Sequence, residues 1–143
     1  MLWRRGMNPK GEIHLISKAK IFDHGVPWEA GNSVTQGYSV NGTIYISGQF
    51  SHDQNGFIEG DIGTQARVTL GNLDRVLKGF GITKSNLAYV EIYLTKPQEH
   101  FEAFVQVFKD YLEGHRPAAT LIGVTYLASP QQIVEISAVA HAN

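Results

Sequence analysis

The chain contains no cysteine. That excludes a disulfide framework, a thiolate metal site and a cysteine nucleophile, and it suits a reducing compartment such as the cytoplasm. An excess of either charge is also missing: 12 Lys and Arg stand against 13 Asp and Glu, for a formal net charge of −1. A nucleic-acid binder needs clustered cations to neutralise phosphates. The one basic pair here, Arg4 and Arg5 behind Trp3, sits at the extreme N-terminus, where a flexible tail over residues 1–11 is expected. No apolar run approaches membrane-spanning length, and Met1–Lys10 lacks the apolar core of a signal peptide. Met7 is a second candidate start. The histidines, His14, His24, His52, His100, His115 and His141, show no helical ligand spacing, so no metal site is expected. The glycines form neither a phosphate loop nor a dinucleotide fingerprint, and Ser47 lacks the context of a nucleophile elbow.

What remains is a chain of 143 residues with an ordinary hydrophobic share of 43%. It is long enough to bury a core without staples and is read as one domain over residues 1–143. Glu12–Ser17 is a short candidate strand. The segment from Phe22 to Trp28, containing His24, Gly25 and Pro27, reads as a loop with an aromatic anchor. Gln36–Val40 and Thr43–Gly48 flank Asn41-Gly42, the strongest short signal for a hairpin, because both central residues of a type I′ turn need positive φ. Alternation puts Ile44 and Ile46 on one face of the second strand and Tyr45 and Ser47 on the other.

A turn at Asp53–Gly56 precedes a helix expected over Gly63–Phe80, with Ala66, Leu70, Leu73, Leu77 and Phe80 recurring at spacings of three and four. Leu87–Leu94 returns to strand: Val90, Ile92 and Leu94 alternate with Tyr89, Glu91 and Tyr93. Pro97 suits the first turn of a second helix, whose apolar stripe is Phe101, Phe104, Val105, Phe108 and Leu112, ending near Gly114. Strands at Ala119–Tyr126 and Gln132–Ala140, joined through Ser129-Pro130, close the chain. The order β, β, β, α, β, α, β, β implies an α+β fold with two helices on one face of a mostly antiparallel six-stranded sheet. The other face is left for solvent or a partner.

Several segments, in this order and spacing, resemble the RidA/YjgF family. They are Gly42 through Gln49, Gly60-Asp61-Ile62 leading to Gln65, Asn72-Leu73 and Val76-Leu77, Val90 through Thr95, His115-Arg116-Pro117-Ala118, and Ile133 through Ile136. The resemblance covers about residues 34–141. It implies a homotrimer with ligand clefts between subunits. The implied activity is hydrolysis of reactive enamines and imines to keto acids and ammonia, with no metal or organic cofactor. Some family members carry an older endoribonuclease label.

Imine hydrolysis requires a grip on the substrate carboxylate, best supplied by the planar fork of an Arg, and a water whose proton is managed by an acid or base. The resemblance places the Arg of the deaminase subgroup at Ala119, its strand-borne Glu at Ser137, and its Tyr at Val34. All three departures fall at pocket positions. A methyl group cannot bind a carboxylate, and Ser does not titrate near neutral pH. Standard 2-imino acid deaminase activity is therefore not expected. Glu135 is retained, either as the catalytic carboxylate beside Ser137 or as a structural group bonding neighbouring backbone. Ser47 and Gln49 match pocket or near-pocket positions, as ligand contacts or as packing. Arg116 either reaches a ligand across a subunit boundary or makes an ion pair, and Trp28 is a pocket wall or a core anchor. His141 shares the strand face of Glu135 and Ser137. A divergent imine or enamine hydrolase is the leading reading. A non-catalytic ligand-binding trimer is the alternative, and the balanced charge argues against an RNase.

Overall fold

The computed structural model describes residues 19–142. The strand expected at Glu12–Ser17 and the tail over residues 1–11 lie outside them. Strand β1 (Lys20–Phe22) is followed by a short helix, α1 (Pro27–Gly31), and by the hairpin β2 (Gly37–Val40) and β3 (Thr43–Gln49). A small ribbon, β4 (His52–Asp53) and β5 (Gly56–Phe57), leads into helix α2 (Ile62–Gly79). Then come β6 (Leu87–Thr95), α3 (Pro97–Leu112), β7 (Ala118–Val124) and β8 (Val134–His141). Six strands form one sheet in the order β1-β2-β3-β8-β6-β7. Every pairing is antiparallel except β6 with β7. The parallel pair is the one joined by a helix, α3, as a parallel crossover requires.

Local chemistry accounts for the boundaries. Asn41 and Gly42 both take positive φ, 52° and 81°, which is what the hairpin turn demands. The Asp61 carboxylate accepts from the Thr64 N–H at 2.9 Å and caps α2, satisfying one of the orphan donors of the first turn. Pro97 opens α3. Glu113 and Gly114, at φ 50° and 95°, turn the chain out of it.

Both long helices lie on one side of the sheet. Ala66, Leu70, Leu73, Val76 and Leu77 of α2, with Phe104 and Leu112 of α3, pack on Ile44, Ile46, Val90, Ile92, Leu94, Val134, Ile136, Ala138 and Ala140. Each large aliphatic side chain buried here contributes about 1.5–3 kcal/mol. No helix among the described residues is long and apolar enough to cross a membrane.

Three expectations are corrected. Phe101 is 47% exposed and lies off the apolar stripe of α3. The loop around Pro27 contains helix α1, whose five residues are too few to carry a periodic signal. It forms because Pro27 stands at its first position and Glu29 reaches back to the N–H of Val26 at 3.0 Å. The last strand begins at Val134 rather than Gln132, since Gln131 takes φ 71° and the N–H of Ile133 donates to the Gln65 side chain at 2.9 Å.

Candidate functional site

The sheet face away from the helices carries the polar groups. The ladders set them in rows across the strands. Tyr45, Val139, Tyr89 and Ala118 form one row; Ser137, Glu91 and Thr120 the next; Glu135, Tyr93 and Ile122 a third. A cleft of about 320 Å³ opens on this face, with Thr35, Tyr38, Tyr45, Ser47, Tyr89, Glu91, Ser137 and Val139 among its walls.

Glu91 is held at the centre by its own strand. Residues two apart in a strand point to the same side, and the long phenol rings on either side lean over the shorter carboxylate. Tyr89 donates to Glu91 Oε2 at 3.1 Å, and Tyr93 donates to Oε1. The Tyr89 oxygen also lies 3.0 Å from Thr120 Oγ1. The bond to Glu91, with burial and the negative charge of Glu91 and Glu135 adding to it, raises the Tyr93 pKa above its ordinary value. Its hydroxyl is therefore a fixed donor at neutral pH.

Glu135 sits beside this cluster, over a break in the β3 ladder. The register of β3 against β8 slips between Ile46 and Gln49, and the Glu135 side chain lies directly on Gly48. Its Oε1 accepts from Gln132 Nε2 at 3.1 Å. Ser47 donates to the Thr35 carbonyl at 2.7 Å, at the rim of the cleft.

On the other side of the slip, a closed ring of buried polar side chains ties the first segments together. His24 Nε2 donates to Gln49 Oε1 at 2.8 Å, and Gln49 Nε2 donates to Gln36 Oε1 at 2.8 Å. Gln36 Nε2 donates to Glu29 Oε2 at 2.9 Å, which also accepts from the His24 N–H at 2.7 Å. The second Glu29 oxygen takes the N–H groups of Gly25 and Val26, each at 3.0 Å. Burial alone would raise the Glu29 pKa, but the bonds from Gln36, His24, Val26 and Gly25 together hold it below its ordinary value. Burial pushes the His24 pKa down, against the opposing bond to Gln49. Its Nδ1 is buried without a partner. Trp28 and Phe50 pack on the His52 ring, with centroids 5.0 and 4.6 Å away, so Trp28 is an anchor of this buried cluster.

Within one chain the structure brings together only some of the residues singled out in the sequence. Ser47 and Ser137 share the cleft, with Glu135 one row away. Gln49 is fully buried on the helix side, inside the polar ring. Val34 is 51% exposed, in the segment before β2. Ala119 pairs with Val90 and so shares the helix-side phase of the sheet, at its edge, opposite to Ser137. Arg116 is exposed in the connection between α3 and β7. His141 is exposed and pairs with Thr43 at the far end of β8. Glu91, which lines the cleft with Tyr89 and is also bonded by Tyr93, carries no site role in the sequence reading. The signal was present: a carboxylate between two hydroxyls at a period of two. No cluster of three or more His, Asp or Glu side chains suited to a metal occurs among the described residues.

A sequence model of the family described as Endoribonuclease L-PSP matches residues 28–142. The chain is 33% identical over 112 residues to the mitochondrial protein mmf2 of Schizosaccharomyces pombe, covering 77% of this chain and 88% of that relative. It is 30% identical over 107 residues to a RutC family protein of Sulfurisphaera tokodaii, covering 73% and 84%. The crystal structure of YyfA from Yersinia pestis, a protein of the conserved Rid family, superposes with a TM-score of 0.78 at 28% identity. That match covers 86% of this chain and 98% of YyfA.

Proposed function

The chain belongs to the Endoribonuclease L-PSP family, the YjgF/RidA proteins, and from that premise we propose that it is a small-molecule hydrolase of imines or enamines, working in a cleft between identical subunits. The observation that carries this reading is the cleft on the open face of the sheet, which brings together Ser47 and Ser137, two residues that the sequence resemblance assigns to the family's pocket. Its volume suits one small molecule.

The chemistry asks for water and proton transfer only. Water adds to the carbon of the C=N bond. A C–O bond forms, the π pair moves to nitrogen, and a proton leaves the attacking water. One proton reaches the nitrogen to give a carbinolamine. The nitrogen then takes a second proton, and the hydroxyl gives up its remaining proton as its electron pair closes the carbonyl. The C–N bond breaks with its pair on nitrogen, and a carbonyl compound and ammonia or an amine depart. In this reading the Ser137 hydroxyl orients the water and Glu135 accepts its proton, as a carboxylate near a positioned water can. The exposed Tyr38, Tyr45 and Ile122 on the same face, 38%, 53% and 37% accessible, support a homotrimer that covers part of it.

The endoribonuclease description is disfavoured by the cleft itself. Among the described residues its walls include Glu91 and neither Lys nor Arg, and a phosphate backbone needs cations. The cysteine-free composition keeps a cytoplasmic setting in the proposal, while one relative is named mitochondrial.

The test is a coupled assay on freshly generated imines, with semicarbazide trapping the unhydrolysed species and a known family deaminase alongside. Accelerated loss of the imine, abolished in Glu135→Gln, supports the reading. No acceleration on any imine overturns it in favour of a ligand-binding trimer without catalysis.

A further inference from the structure

The cleft differs in charge from one built to hold an imino acid, and the difference names a ligand class. We propose that it selects a small organic cation, an iminium or protonated amine lacking a carboxylate, and that Glu91 holds the nitrogen. The inference rests on the hydrolase reading for the reaction that follows binding.

Four observations carry it. First, Glu91 is the one formally charged residue among the described walls of the cleft. A carboxylate ligand would be desolvated there against a like charge with no counter-ion, which is strongly unfavourable. Second, the position that the family resemblance assigns to a carboxylate-gripping Arg is Ala119, whose methyl group cannot bind a carboxylate. Third, Tyr89 and Tyr93 each donate to a different oxygen of Glu91. They fix the carboxylate in place and leave a lone pair on each oxygen for a further N–H donor. The walls around it, Tyr38, Tyr45 and Tyr89, offer π faces that attract cations and not anions.

Fourth, the register sets the reacting atom. Glu91 is directly opposite Ser137 on β8, and opposed side chains on neighbouring strands lie about 4.5–5.5 Å apart at Cβ. A C=N nitrogen bonded to Glu91 presents its carbon toward the Ser137 hydroxyl. Glu91 is thus a binding residue for nitrogen, distinct from the Glu135 and Ser137 roles in handling water.

The experiment is calorimetric titration of the full-length protein with three probes of one frame: benzylammonium, benzoate and benzyl alcohol. Benzylammonium binds at least about tenfold more tightly than either of the others, and Glu91→Gln, nearly isosteric, loses about tenfold or more of that affinity while leaving benzyl alcohol unchanged. Benzoate binding as tightly as benzylammonium, no benzylammonium binding at millimolar concentration, or an unchanged affinity in a folded Glu91→Gln protein each overturns the proposal. If Glu91→Gln does not fold, the preference of the wild-type protein between ammonium and carboxylate decides alone. The two readings separate cleanly. Cation binding without hydrolysis of any imine keeps this inference and removes the hydrolase. Hydrolysis of a 2-imino acid without a preference for cations does the reverse.

Discussion

The carboxylate of Glu135 rests on Gly48: a Cβ built at position 48 would lie 2.8 Å from the Glu135 carboxyl carbon. The glycine is there because the β3 ladder slips at this point and a side chain from β8 fills the gap, the close approach that a strand glycine often marks. Gly48→Ala therefore pushes Glu135 off its seat, at a cost of about 1–3 kcal/mol. Thermal unfolding of Gly48→Ala, Glu135→Ala and the double variant measures the coupling. The double variant should recover most of the Gly48→Ala loss, because the smaller side chain no longer meets the new methyl. Strict additivity would mean the two residues do not share that space.

The ring through His24, Gln49, Gln36 and Glu29 makes Glu29 a structural carboxylate. It receives four donors, three of them backbone N–H groups. In Glu29→Gln one oxygen becomes an NH2 that faces donors, so at least one buried N–H loses its acceptor. A loss of about 2–3 kcal/mol is expected, read as a lower urea midpoint at unchanged slope. A variant as stable as the parent would show that water reaches these groups.

His24 gives the fold a dependence on pH. Its pKa is lowered from 6.5, with burial the leading cause and Arg75 and His52 adding to it against Gln49 and Glu29. A depressed histidine pKa means that the unfolded chain binds a proton more readily than the folded one. Stability from this group is complete above about pH 6.5 and falls as pH drops below that value toward the folded pKa. The proton would enter at Nδ1, which is buried and unpartnered. Urea unfolding between pH 8 and pH 5 should show this slope, and His24→Gln should flatten it. An equal slope in both proteins would assign it to other groups.

The hairpin and both long helices were legible because their signals are local. Asn41-Gly42 dictates its own turn, and Leu70, Leu73 and Leu77 mark their face by spacing alone. Gln49 shows where that kind of reading stops. Plain alternation from Ser47 turns it outward to the cleft, but the slip at Ser47-Gly48 shifts the phase and carries Gln49 to the interior. A bulge leaves no signature beyond a glycine. Gln65 and Asn72 stood out only as parts of a resemblance. Their work is to bond backbone far away in sequence: Gln65 binds the Gly60 and Gln131 carbonyls and the Ile133 N–H, and Asn72 binds the carbonyls of Phe50 and His52. No periodicity encodes a partner 66 residues away. Val34 and Ala119 are not among the walls of the cleft that holds Ser137, and nothing in the sequence pattern separates them from it.

Position 137 offers a last test, since the deaminase subgroup that the sequence resembles has Glu there. In this chain Ser137 faces Glu91 across the ladder. Ser137→Glu therefore sets two carboxylates opposite each other on adjacent strands, a like-charge pair that destabilises by about 1 kcal/mol. Such a pair resists losing its second proton, so one carboxyl of the variant titrates above its unfolded value. The sign follows from that shift. The penalty is full near neutral pH and shrinks as the solution is acidified through the raised pKa, the reverse of the His24 effect. Measured as a difference from wild type, the stability gap of Ser137→Glu should narrow as the pH is lowered through the raised carboxyl pKa. Adding Glu91→Gln should remove the gap at every pH. A gap independent of pH, or one that Glu91→Gln leaves intact, would mean that the two side chains do not meet and that Glu91 is not poised over the Ser137 end of the cleft.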